Sequence, residues 1–443
     1  MSKYIQNKNN LVQYFIEGIK KNDQLRIGVE HEKFIFNKKD LKRIDYDQIK
    51  KVFEILKDQG WKLEFEKEKV VGLKRKNQKI TTEPGFQYEL SGAPFKNIHS
   101  VCSENSTHFN ELKDVLKSID ITTSSIAYDP FNKLTEIPKS PKERYKIMTS
   151  EMPKGGELSL DMMYKTAGIQ INYDYTSEED FEKKFKIGNY LAPLTIALFA
   201  NSPFNENKLS GYLSYRGKVW QKTNRGGIMP ITFEKVNFEK YIDHAINYPI
   251  LFLKKNGKYH SPNGQTFNDF LKGNLSFLNG EKPTLKDFEN HLGTIFTEVR
   301  IKQIIEFRSL DTCNFGCICN GPSFFTGLIY GSLDETYEII KNWKKDEVME
   351  AYLNAPKQGL NTLLHDKKLI DWGKIFLNLS KKGLEKRNEL NKSGKNETIY
   401  LKHIEEIIKN KKTRAEMLIE QFNKTKNLDF LVNHDENFSY SGF

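Results

Sequence analysis

Apolar and polar positions along the chain fall into two regimes. From Arg26 to Phe36 (RIGVEHEKFIF) apolar and charged residues alternate, the period of a half-buried strand. Shorter strands are expected at Trp61–Phe65, Val70–Arg75 and Lys79–Leu90, the last interrupted by a turn or bulge at Pro84-Gly85. Further strands are expected at Ile121–Asp129, at Gly168–Tyr175 (GIQINYDY) and over the second half of Glu298–Leu310. Helical spacing marks 11–20, Tyr46–Gly60, Ile98–Ser118 and most of Glu178–Ala200. From Phe324 onward the pattern is almost wholly helical, with a 3.6-residue period in Ser332–Trp343, Trp372–Asn388 and Thr398–Phe422. Strands without regular crossover helices indicate an α+β protein with antiparallel strands and surrounding helices. No internal repeat or low-complexity linker divides the chain. The expectation is one unit over 1–443, with a sheet-rich core at 10–323 and a helical region at 324–430.

The strands carry a particular chemistry. Residues two apart on a strand share a face. Glu30 and Glu32 therefore point the same way, as do Gln87 and Glu89 with Glu83 just upstream, then Gln170, Asn172 and Asp174, then Glu306 and Arg308. A lone E-x-E is more often a solvated polar face than a metal site. Four strands that each oppose polar or acidic pairs to an apolar face suit a hard divalent cation, and Mg²⁺ with nucleotide phosphates is the usual use of such oxygen donors. The chain has no G-x-x-x-x-G-K-[ST] loop, no kinase signature and no G-x-S-x-G elbow. Phosphates would have to be held by metal and by Arg or Lys side chains.

Composition narrows the picture further. Aromatic residues make up 12% of 443 positions, enough for a sizeable core. The net charge of +11 comes from Lys spread along the whole chain among acids and Asn, a solvated surface and not the clustered footprint of a nucleic-acid binder. The N-terminus, MSKYIQNKNN, has no apolar segment of the secretory kind, and the longest apolar stretch, Leu191–Ala200, is too short to span a bilayer and contains Pro193. The expectation is a soluble cytoplasmic protein. In that compartment Cys102, Cys313, Cys317 and Cys319 would be reduced by default, and their C-x₃-C-x-C spacing does not match a zinc site.

Read in order, IGVEHEKF (27–34), TEPGFQYELSGAPFKNIHSVCSE (82–104), SPKERYKIM (140–148), LSLDMMYKTAGIQINYDYTSEEDF (158–181), LAPLTIALFANSPF (191–204), GYLSYRGKVW (211–220) and HLGTIFTEVRIKQIIEFRSLD (291–311) resemble the plant and proteobacterial type of glutamate–cysteine ligase. The resemblance is collinear from about residue 10 to 430. It implies a curved antiparallel sheet like that of glutamine synthetase and an ATP- and Mg²⁺-dependent reaction, the first step of glutathione biosynthesis. There the γ-carboxylate of L-glutamate is phosphorylated and then attacked by the amine of L-cysteine. By the same resemblance Glu30, Glu32, Glu83, Glu89, Gln170 and Glu306 are metal ligands, and Arg308, with Glu306, is catalytic. Arg144 and Arg216 hold the glutamate carboxylates, while Asp161, Met162 and Met163 form the substrate pocket wall. Cys102 and Cys319 match a redox-sensitive pair, and the implied assembly is a monomer or a redox-dependent homodimer. Cys313 and Cys317 match no family role.

The departures are specific. Phe86 stands where the family usually has Gly. QKTNRGG (221–227) replaces a longer acidic loop, and DTCNFGCICNG (311–321) differs from the family version. Two other readings stay open: a ligase on the same scaffold that joins glutamate to another amine, and a non-catalytic binding protein.

Overall fold

The computed structural model describes residues 4–278 and 280–432. Its centre is a nine-stranded sheet. The strands are β1 (Ile27–Asn37), β2 (Lys62–Glu66), β3 (Lys69–Arg75), β4 (Gln78–Thr82), β5 (Tyr88–Ser91), β6 (Ile121–Ser124), β7 (Gly168–Tyr173), β8 (Val299–Ile301) and β9 (Ile305–Asp311). The hydrogen-bonded order is β8-β9-β7-β1-β5-β4-β3-β2, with β6 pairing the far half of β1, and every pair is antiparallel.

Period-two alternation decides which face is buried. The register places Val29, Ile171, Phe307 and Val299 in one row and His31, Ile169, Leu90 and Ile80 in another, all on one face. Helices Tyr46–Asp58 and Ile98–Ser118 cover the β3–β5 half, where Leu73, Ile80, Tyr88 and Leu90 pack against Ile49, Phe53, Leu112 and Val115. Over the β7–β9 half lie helices Glu178–Tyr190, Ala192–Leu198 and Leu369–Arg387, in a continuous core that includes Ile171, Phe307, Phe185, Leu194 and Phe376. Each such Leu, Ile or Phe buried from water contributes about 1.5–3 kcal/mol. Capping fixes where several helices start. Asp45 and Asn97 accept backbone N–H bonds from Gln48 and Ser100, and Thr413 forms a capping box with Glu416.

Several elements depart from the sequence reading. The strand expected over Ile121–Asp129 stops at Ser124, because the following residues bond away from the sheet: Ala127 N–H donates to Asn201 O and Asp129 N–H to Lys165 O. The helix expected over Thr398–Phe422 is divided into Lys402–Asn410 and Arg414–Thr425. Lys411 adopts a left-handed backbone at φ 52°, and Thr413 then caps the second helix. The default of reduced thiols does not hold. Cys102 is bonded to Cys319, the pair that the resemblance singled out, and Cys313 to Cys317, which had no such reading, with Cα separations of 6.1 and 6.0 Å. The cause is tertiary: packing of Ile98–Ser118 against the turn before Asn320 brings Cys102 within bridging distance of Cys319. No helix among the described residues is long and apolar enough to cross a membrane.

Candidate active site

The uncovered face of the sheet floors a cavity of about 780 Å³. The register lays polar side chains across that floor in rows. Glu32 on β1 stands opposite Glu89 on β5, Glu30 opposite Gln170 on β7, and Glu306 on β9 between Asn172 and Arg300 of β8. Between Phe307 and Leu310 the register of β9 shifts, and a bulge of this kind re-aims a side chain. Arg308 sits there, its Nη1 donating to Gln170 Oε1 at 2.7 Å and to Glu306. The opposite wall sets Met148, Met162, Met163 and Trp220 beside Arg144, all from the helices Glu143–Glu151, Ser159–Lys165 and Tyr215–Gln221. The rim includes Phe252, Lys254 and Tyr259 of the hairpin formed by Leu253–Lys255 and Lys258–His260.

The carboxylates of the floor are electrostatically unlike one another. Burial, then Glu83, Glu30 and Glu32, push the Glu89 carboxyl well above its ordinary value. Burial and then Glu306 raise Glu30, and burial and then Glu83 raise Glu32, even though Asn172 donates to Glu30 and Gly168 N–H and Gln170 donate to Glu32. Glu306 goes the other way. Burial alone would raise it, but Arg300 and Arg308 hold it well below the usual carboxylate range. Arg300 binds it through Nε and Nη2 at 2.7 and 2.8 Å.

This excess of acid around Glu30, Glu32, Glu83 and Glu89 is a hard oxygen donor set short of positive charge, and it fits magnesium by its chemistry. As placed, no group of three or more His, Cys, Asp or Glu side chains among the described residues could hold a metal ion. Glu306, expected among the ligands, has both oxygens engaged by arginines and does not line the cavity.

Of the other residues singled out in the sequence, Arg144, Met162, Met163, Gln170 and Arg308 line the cavity, as do Glu30, Glu32, Glu83 and Glu89. Arg216 does not. It is buried behind the floor, where Nη2 donates to Arg308 O at 2.9 Å and Nη1 lies 3.8 Å from Asp311. It passes so close to Gly168 that a Cβ there would stand 2.5 Å from Nη2. Asp161 also lies off the wall, accepting a 2.6 Å bond from Tyr128. Asp174, placed on the Gln170 face by alternation, instead accepts the Arg26 N–H at the end of β7. The altered 221–227 loop contacts the methionine-bearing helix and not the floor: Asn224 N–H donates to Ser159 Oγ, and Leu158 N–H to Lys222 O. Sequence reasoning missed Arg300, Lys302 and Trp220 as lining residues. Arg300 lay inside the quoted E-V-R string, and its cross-strand partner could not be known without the register.

The family model for glutamate–cysteine ligase family 2 matches residues 26–434. The chain belongs to the glutamate–cysteine ligase family. Among relatives of this family it is 40% identical over 418 residues to glutamate–cysteine ligase A, chloroplastic, of Oryza sativa subsp. japonica, covering 93% of this chain and 84% of that one. It is 39% identical over 422 residues to the chloroplastic glutamate–cysteine ligase of Arabidopsis thaliana, covering 94% and 80%. The crystal structure of a glutamate–cysteine ligase from Francisella tularensis in complex with AMP shares the fold at a TM-score of 0.54 and 14% identity, over 92% of this chain and 86% of that one. The expectation of a cytoplasmic protein is corrected by these relatives, which are chloroplastic. Plastid-targeting segments are amphipathic and Arg- and Ser-rich, so the lack of an apolar secretory segment at the N-terminus does not distinguish cytoplasm from plastid.

Proposed function

We propose that this ligase family member joins the γ-carboxylate of L-glutamate to the amine of L-cysteine at the expense of ATP, the first step of glutathione biosynthesis. One observation carries the reading. Acids from β1 and β5 and the β4–β5 turn, and Arg308 from β9, open into a single cavity whose other wall carries Arg144 among apolar side chains.

The chemistry needs two displacements. A γ-carboxylate oxygen attacks the terminal phosphorus of ATP and the P–O bond to ADP breaks. The cysteine nitrogen then attacks the acyl carbon, the C–O bond to phosphate breaks, and the nitrogen sheds a proton. Arg308, clamped by Glu306 and Gln170, offers a fixed guanidinium to the charge on the transferring phosphoryl group. Arg144, whose Nη2 lies 3.1 Å from the Tyr145 hydroxyl at the far side of the cavity, suits a glutamate carboxylate. Met162, Met163 and Trp220 keep water from the acyl phosphate, which it would hydrolyse. Glu30, Glu32, Glu83, Glu89 and Gln170 would hold Mg²⁺, which when bound neutralises phosphate charge. Glu306 acts through Arg308. The helical region 324–430 works with the sheet as one catalytic unit.

The test is Mg²⁺-dependent ADP release. Release should require both glutamate and an amine, with cysteine far better than other amines, and Glu306→Gln should abolish it. ADP release that ignores glutamate, or that favours another amine over cysteine, overturns the reading.

A further inference from the structure

The strand that presents Arg308 is irregular at that residue. Between Phe307, opposite Ile171, and Leu310, opposite Ile169, two residues of β9 face the single residue Gln170 of β7. Arg308 and Ser309 are those two, so neither has a register partner on β7. Their hold comes from behind the floor. Arg308 N–H donates to Glu298 O at 3.0 Å, and Arg308 O accepts from Arg216 Nη2 at 2.9 Å. Ser309 Oγ donates to Glu298 Oε2 at 2.7 Å. The other carboxylate oxygen, Oε1, accepts the hydroxyl of Tyr352, on the helix Lys345–Gln358. The 221–227 loop closes on the same point: Gly227 O accepts the Glu298 N–H, and Gln221 donates to Tyr352 O. Glu298, Ser309 and Tyr352 are all buried, and none of them lines the cavity.

A carboxylate at this depth keeps one position while both oxygens are bonded, because an oxygen left without a donor carries its full desolvation cost and draws the side chain elsewhere. A bulge lacks the register contacts that would resist such a shift. We propose that Tyr352 and Glu298 are positioning residues for Arg308: the Tyr352 hydroxyl fixes Glu298, and Glu298 fixes the bulge that aims the guanidinium at Gln170 and Glu306. The helical region thereby acts on the reacting centre without touching substrate. This rests on the ligase reading, in which Arg308 serves the transferring phosphoryl group. A displaced guanidinium keeps its charge but meets the charge developing in transfer less well, so the loss falls on kcat and not on KM.

The experiment uses the full chain. Tyr352→Phe removes one hydroxyl and keeps the ring, and Ser309→Ala tests the same carboxylate from its other oxygen. Tyr175→Phe is the control, since it loses a buried hydroxyl that donates to Phe15 O, outside the cavity. A thermal melt checks that each variant is folded at the assay temperature. Expected in Y352F and in S309A is a kcat for ADP release with glutamate and cysteine lowered about tenfold, with KM for ATP, glutamate and cysteine within about twofold. The double variant should be no slower than the slower single, because both changes act through one carboxylate. Y175F should keep the wild-type kcat. Hydrogen exchange of residues 305–311, read by mass spectrometry, should quicken in Y352F and not in Y175F, because the Arg308 N–H is bonded to Glu298. Wild-type kcat in Y352F, an equal loss in Y175F, or a double variant whose loss is the product of the two singles overturns the proposal. Exchange that quickens in Y352F, in a protein that releases no ADP with glutamate and cysteine, upholds the hold on the bulge and overturns the ligase reading alone.

Discussion

Phe86 holds a backbone conformation that its side chain disfavours. Its φ is 59°, in the left-handed region, at the close of the turn that joins β4 to β5. Phe86 N–H donates to Glu83 O, and Glu83 N–H to Gln87 O, both at 2.9 Å. A turn closed by a left-handed residue is built for glycine, and a non-glycine residue there costs about 1–2 kcal/mol. What keeps Phe is its ring, 1% exposed and packed in the core with Ile80, Tyr88 and Leu90. Two substitutions separate the effects. Phe86→Ala removes the ring, at about 3–5 kcal/mol, and keeps the strained backbone. Phe86→Gly removes the same ring but relieves the strain, a gain of about 1–2 kcal/mol set against about 0.5–1 kcal/mol of glycine's extra backbone entropy. Both variants should fall below wild type in urea midpoint, and Gly should exceed Ala by about 0.5–1 kcal/mol, the reverse of the usual order at ordinary backbone positions. An Ala variant equal to or more stable than the Gly variant would refute the reasoning.

Other perturbations test other parts of the molecule. Arg308→Lys replaces a planar fork, bonded to both Glu306 and Gln170, by a point charge, and ADP release with glutamate and cysteine should fall about tenfold or more with the melting temperature little changed; wild-type turnover would remove Arg308 from the phosphoryl site. His291 is buried against Phe267, and burial, then Arg225, depress its pKa to about 3. The folded state therefore binds fewer protons than the unfolded one between about pH 6.5 and 3, so stability falls as pH is lowered through that window. His291→Phe should flatten this loss in urea midpoints measured at pH 7, 5 and 4, and an unchanged slope would count against it. The Cys102–Cys319 bridge closes a sequence separation of 217 residues, so Cys102→Ser should lower stability by about 2–5 kcal/mol under oxidising conditions and by nothing once reductant is added. Equal losses with and without reductant would assign the effect to packing.

Much of the floor was legible beforehand because a strand leaves little freedom: once Glu30 and Glu32 lie two apart on a strand, they share a face. The same rule failed at Asp174, where β7 has already ended, and it said nothing of depth. Arg216 and Glu306 sit in matching strings just as Arg144 and Arg308 do, yet the first two are buried and do not line the cavity. The division of Thr398–Phe422 was written in T-R-A-E (413–416), a helix-start signal that the apolar period alone does not register.

Local order, then, is the sequence's own contribution: alternation, capping and turn chemistry act over a few residues and set which side chains share a face. Contacts between distant stretches belong to the tertiary structure, because they depend on strand register and helix packing, which no local pattern encodes. It alone put Arg300 across from Glu306 and brought Cys102 to Cys319. It also held Phe86 in a glycine's conformation, since there the packing of a ring outweighs the preference of its backbone.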